Sequence, residues 1–130
     1  LNDAVTITAT GLNQNATFST ITNYSNGITN TTAVHLVVGA TKNFSITAGA
    51  ASTNFTGGSS TIPATALLIR AAGLGSYTPI GSLASPTTLF SNQPLGATNS
   101  FDVDYRFNPG INGYNSGSYS LSIVYTAVLL

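Results

Sequence analysis

The 130-residue sequence contains no cysteine, no methionine and no tryptophan. Without cysteine there is no disulfide and no thiolate metal site, though that absence does not by itself identify a compartment. The missing methionine suggests a chain that begins after processing, with a signal peptide removed ahead of Leu1, or one that has been trimmed. Glutamate is also absent, and the charged residues are only Asp3, Lys42, Arg70, Asp102, Asp104 and Arg106, 5% of the chain with zero formal net charge. An ordinary soluble domain carries about 25%. The lack of a Lys and Arg cluster to neutralise phosphates argues against nucleic acid as a partner and against electrostatic docking on an anionic membrane. No apolar run approaches the roughly 18 residues of a membrane-spanning helix.

Thr, Ser, Asn and Gly supply the polarity instead. Such side chains hydrate a surface without repelling a neighbour, which suits a protein that packs against copies of itself or works outside cells; many secreted β domains simply share this composition. The length fits one domain with one core.

Helix signals are nearly absent. Thr, Val, Ile and aromatics are spread between closely spaced Gly, Asn, Ser and Pro, the rhythm of an all-β sandwich or barrel. Alternation predicts strands at 4–10 (Val5, Ile7 and Ala9 on one face; Thr6, Thr8 and Thr10 on the other) and, less regularly, at 16–22. Residues 33–39 and 42–49 read as a pair around Gly39-Ala40-Thr41. Residues 55–63 read as a loop. Residues 65–73, between Pro63 and Gly73, read as a strand with a helical turn as the alternative. Residues 74–97 hold three prolines and read as an irregular connection with short strands near Tyr77 and Leu89. At 100–107, Phe101, Val103, Tyr105 and Phe107 face in and Asp102, Asp104 and Arg106 face out. After a turn-rich loop at 108–117, an apolar strand, "SYSLSIVYTAVLL", runs to Leu130. It either pairs with 100–107 in one sheet or crosses to a second. Val124, Val128 and Leu130 make its other face apolar too, as in a central strand buried on both faces.

Few residues carry chemistry. His35 is the only histidine, and no GxSxG elbow surrounds any serine; in "VHLVV" it reads as a solvent-facing strand residue or a satisfied core group. Asp102 and Asp104 lie on one strand face, about 6–7 Å apart at Cα. Two carboxylates could serve a Ca²⁺ site or a glycosidase pair, but no further oxygen ligands or loop motif accompany them. The plain reading is a solvated face on which Arg106 offsets the acids. Sequons stand at Asn15, Asn23, Asn30, Asn43 and Asn54; Asn43 falls inside a predicted strand, leaving Asn15, Asn23, Asn30 and Asn54 as candidate glycosylation sites. Most aromatics alternate along strands, where core packing is the default.

The stretches "NYSNGI", "KNFSITAGAASTNFTGGSSTIPATALLI", "SNQPL" and "FDVDYRFNPGINGYNSGSYSLSIVYTAVLL" together resemble small secreted fimbria-like β-sandwich proteins of Bacteroidota, often encoded beside a periplasmic chaperone. The ending "NPG…YNSGSYSLSIVYT" is similar to that of spore-coat-protein-U-like and archaic chaperone–usher pilins, although those commonly carry a disulfide. The resemblance implies an Ig-like antiparallel β-sandwich, incomplete until a donor strand from a neighbouring subunit is added. It implies residues 1–12 as a donor segment with Val5, Ile7 and Ala9 as its knobs, and 13–130 as a single sandwich. It implies an acceptor groove lined by Leu121, Ile123, Tyr125 and Ala127 with Phe101, Val103 and Tyr105. The alternative for residues 4–10 is an ordinary first strand paired within its own domain. The expectation is a secreted, pilin-like structural subunit without catalytic site, metal or cofactor. Its partners would be identical subunits joined head to tail and a periplasmic assembly chaperone. The alternatives are a carbohydrate-binding or adhesive module, for which Asn112, Tyr114 and Asn115 are the candidates, and a glycosylated surface-layer or archaeal filament subunit.

Overall fold

The computed structural model describes residues 1–11 and 13–130; the expected boundary between a 1–12 segment and a 13–130 body falls on Leu12, outside the described residues. The strands are β1 Val5–Thr10, β2 Ile28–Ala40, β3 Phe44–Ala50, β4 Thr56–Gly57, β5 Leu67–Ala71, β6 Thr78–Pro79, β7 Gly81–Ser82, β8 Thr87–Gln93, β9 Gly96–Phe107, β10 Tyr119–Ser120 and β11 Ile123–Leu129, with one short helix, α1 Ile21–Asn26. The fold is an all-β sandwich, as the alternation predicts. One sheet has the order β1-β2-β9-β5-β6. In the other, β3 lies between β11 on one side and β7 and β8 on the other. All ladders are antiparallel except the two-residue contact of β3 with β7.

Alternation explains the core. Val34, Leu36, Val38 and Ala40 of β2 and Phe44, Ile46, Ala48 and Ala50 of β3 are all buried, as are Ile69 of β5 and Val103 and Tyr105 of β9. Phe101 binds the layers together, edge-on to Phe44 with ring centroids 5.9 Å apart and tilted against Phe90 at 4.6 Å, geometries that aromatic rings favour.

Several expectations are corrected. Residues 33–39 and 42–49 do not pair with each other. The Thr41–Asn43 connection carries the chain from one sheet to the other, so the apolar faces of β2 and β3 meet across the core. Residues 16–22 form no strand. Thr20 is instead an N-cap whose side chain accepts from Asn23 N, while Asn23 Oδ1 accepts from Thr20 N, and this reciprocal box starts α1. At 65–73 both readings hold in part, because a 3-10 turn at Ala64–Ala66 leads into β5. The 100–107 strand begins earlier, at Gly96. Strand β11 crosses to the second sheet, and it is an edge strand rather than a central one: Val124, Val128 and Leu130 are 44%, 45% and 61% exposed.

Candidate functional site

Strand β1 lies at the edge of its sheet in register with β2, from Val5 opposite Ala40 to Thr10 opposite His35. Ile7 and Ala9 point inward, half-buried against the core, while Thr6, Thr8 and Thr10 face solvent. Val5 is 38% exposed and does not join the cluster. The start of β1 is pinned to the intersheet connection. Ala4 N donates to Thr41 Oγ1 (2.9 Å), Thr41 N donates to Ala4 O (3.0 Å), and Lys42 pairs with Asp3 at 3.0 Å. That ion pair is exposed and contributes about 0–1 kcal/mol. The other end is released by Gly11 at φ +80°, where a Cβ would lie 2.4 Å from the Ala33 carbonyl oxygen. Beyond it, the described residues 13–19 have no regular structure.

Across the sandwich, β11 pairs with β3 from Ile123 opposite Ala50 to Leu129 opposite Phe44. Ile123, Tyr125 and Ala127 face the core, and Leu121 packs there just ahead of the strand. The Tyr105 and Tyr125 hydroxyls are hydrogen-bonded to each other. Burial pushes both phenols above their ordinary range; for Tyr125 the neighbouring Tyr105 adds to the shift. The expected donor residues Ile7 and Ala9 and the expected groove residues Phe101, Val103, Tyr105, Leu121, Ile123, Tyr125 and Ala127 thus share one cluster within one chain. The ladder partner of β1 is β2, which the sequence reading did not include in the groove. Its signal was the alternation of Val34, Leu36 and Val38.

The outer face of the β2–β9–β5 sheet holds the titratable groups. His35 faces out, its Nδ1 2.7 Å from Asp102 Oδ1, with both side chains more than 40% exposed. Asp104 is not on a solvated face and Arg106 does not offset it. Its side chain is 2% exposed; Oδ2 accepts from Arg70 Nε (2.9 Å) and Gly73 N (3.0 Å), and Oδ1 from Thr32 N (2.8 Å). Burial alone would raise its pKa, but these N–H donors and the guanidinium outweigh it and hold the carboxyl below its usual range. Thr32 sits at φ +47° in a β2 irregularity between Asn30 and Val34. The Arg70 guanidinium lies 4.4 Å above the Tyr77 ring. Arg106 instead donates to the Asn26 carbonyl at the end of α1. Among the described residues no three His, Asp or Glu side chains converge as metal ligands.

The loop proposed for sugar binding is engaged internally. Asn115 N donates to Ser60 Oγ (2.7 Å), its Nδ2 to Ser59 Oγ (3.1 Å), and Asn112 Nδ2 to Pro109 O (2.6 Å). Tyr114 lines a small apolar cleft with Ile21, Tyr24 and Ile111. Of the sequon asparagines, the Asn23 side chain accepts from Thr20 N in the capping box of α1, the Asn30 amide donates to Gln14 and Asn15, and the Asn43 amide bonds Asn92 and Leu95. Asn15 is exposed and Asn54 is half-buried. No helix among the described residues is long and apolar enough to cross a membrane.

Comparison with known proteins gives no match to a family model and none to a curated protein sequence.

Proposed function

We propose that this protein is a structural, pilin-like subunit of an extracellular filament or surface appendage, assembling head to tail by strand exchange. One observation carries the reading: β1 is an edge strand whose inward side chains are only half-buried, it ends at a left-handed glycine, and the described residues 13–19 have no regular structure. Ordering a strand costs about 1–2 kcal/mol per residue. Ile7, half-buried, recovers only part of the roughly 1.5–3 kcal/mol of a fully buried isoleucine. The strand can therefore leave without dismantling the core. It uncovers the β2 edge and a slot shaped for Ile7 and Ala9, and the same six residues of a neighbour fit that slot by β-augmentation. Each transfer joins two different surfaces, so the contact does not close and the chain of subunits grows. A periplasmic chaperone would hold the vacated edge during export.

Removal of residues 1–10 tests this. The truncated protein is expected to stay folded, or bound to a chaperone, and to form no filaments by electron microscopy, while a synthetic 1–12 peptide restores its thermal stability. Filaments from the truncated protein would sink the reading.

A further inference from the structure

Apart from the separate two-stranded pair of β4 and β10, the two main sheets have four edges, and these are unequal. At the β5 edge lies only β6, two residues long and ending in Pro79. On the other sheet, β7 has two residues, and β8 has register shifts against β3, Asn92 at φ +46° and Pro94 just beyond it. Short strands, prolines and irregular register are the devices by which sheets refuse new strands. Strands β1 and β11 have none of them. Both keep an unbroken register with their single partner, and neither contains a charge or a proline. These two open edges lie next to each other on one side of the sandwich.

They also run in opposite senses. Strand β1 leaves the Thr41–Asn43 connection, where Ala4 is bonded to Thr41, and β11 arrives there, where Leu130 N donates to Asn43 O (2.9 Å). One side of the molecule therefore presents two neighbouring rows of backbone N–H and C=O groups, one from each sheet. A single extended peptide can satisfy only one row. A second copy, turned by a two-fold axis perpendicular to the sheets, presents β1 to β1 and β11 to β11, antiparallel in both layers, and satisfies the two together.

We infer that this side is a self-pairing interface, through which two copies join laterally into one continuous sandwich. The contact is isologous, and it differs from strand exchange because β1 stays in its own sheet. No charged side chain on either edge opposes it, and the exposed Val124 and Val128 of each copy continue one apolar surface across the join.

The test uses the full chain. With the two β11 strands centred on each other, Thr126 meets Thr126 of the second copy, and this residue is exposed, so its replacement leaves the fold intact. In sedimentation velocity the unmodified chain is expected to show a species of twice the monomer mass that dissociates on dilution. T126K and T126D alone, with unchanged circular dichroism and melting temperature, are each expected to weaken dimerisation by up to about fivefold, because like charges oppose across the pair. An equimolar mixture of the two is expected to restore the dimer. A chain that is monomeric at every concentration, variants that dimerise like the parent, or a mixture that shows no recovery would each overturn the inference. Long polymers, if they grow, report strand exchange, a separate contact; lateral pairing is then read as their side-by-side association, and polymers whose association T126K leaves intact would overturn the inference.

Discussion

The Tyr105 hydroxyl of β9 and the Tyr125 hydroxyl of β11 are hydrogen-bonded to each other across the two sheets. This is a polar bond inside an otherwise apolar layer. Replacing either residue by Phe leaves the other hydroxyl buried without a partner, at a cost of about 1–3 kcal/mol. The double Phe variant should lie much closer to the parent, and urea denaturation of the four proteins gives the coupling directly.

The same pair sets an alkaline limit. Burial raises both pKa values above that of an unfolded tyrosine, about 10. Their contribution is therefore complete below about pH 10 and is lost as pH rises beyond it, because the unfolded chain releases phenolic protons that the fold retains. Unfolding followed by absorbance of tyrosinate should have its midpoint moved to higher pH in the double Phe variant.

Much of this layer was legible in the sequence. Period-two alternation placed Phe101, Val103 and Tyr105, and Ile123, Tyr125 and Ala127, on inward faces, because a buried face leaves no freedom in the parity of a strand. Alternation does not encode which strand lies beside which. Residues 33–39 and 42–49 read as a hairpin because they are adjacent in sequence and similarly patterned; only three-dimensional packing sends them to opposite sheets. The helix at Ile21–Asn26 was hidden for another reason. Its signal is the single Thr20–Asn23 box rather than any apolar period.

Asp104 should be the most sensitive charged position. Asp104→Ala leaves Arg70, Thr32 N and Gly73 N without their acceptor, and breaking such a buried pair costs about 3–5 kcal/mol. Because the folded carboxyl is depressed, its stabilising effect is present above the unfolded value of about 3.9 and is lost as pH falls toward the lower folded value. Acid unfolding followed by circular dichroism should therefore flatten in Asp104→Ala relative to the parent. This site was misread from sequence because Arg106, two residues away, is the nearer cation in the chain, whereas the strand ladder sets Arg70 directly opposite Asp104.

Ile7→Asp separates the two readings of β1. In a subunit that assembles by strand exchange, it blocks polymerisation and leaves the isolated domain folded, because the rest of the core keeps its packing. Loss of the folded monomer, seen as collapse of the thermal transition, would mark β1 as an indispensable internal strand.

Gly11→Ala acts at the other end of β1. The added methyl meets the Ala33 carbonyl oxygen in a left-handed backbone position, at a cost of about 1–3 kcal/mol. Hydrogen exchange should show weaker protection of residues 5–10 with little change in β9.

The chain's charged residues have a consequence for how the protein is handled. Asp3 is paired with Lys42 and Asp104 with Arg70, Asp102 is hydrogen-bonded to His35, and Arg106 is bonded to the Asn26 carbonyl. The surface left over is hydroxyl, amide and methyl. Sodium chloride screens fields between charges, and here it finds almost none to screen. Sulfate acts by exclusion from the protein surface and strengthens burial. The folded protein should thus keep its melting temperature as sodium chloride is raised and gain stability instead from sulfate and other excluded cosolutes.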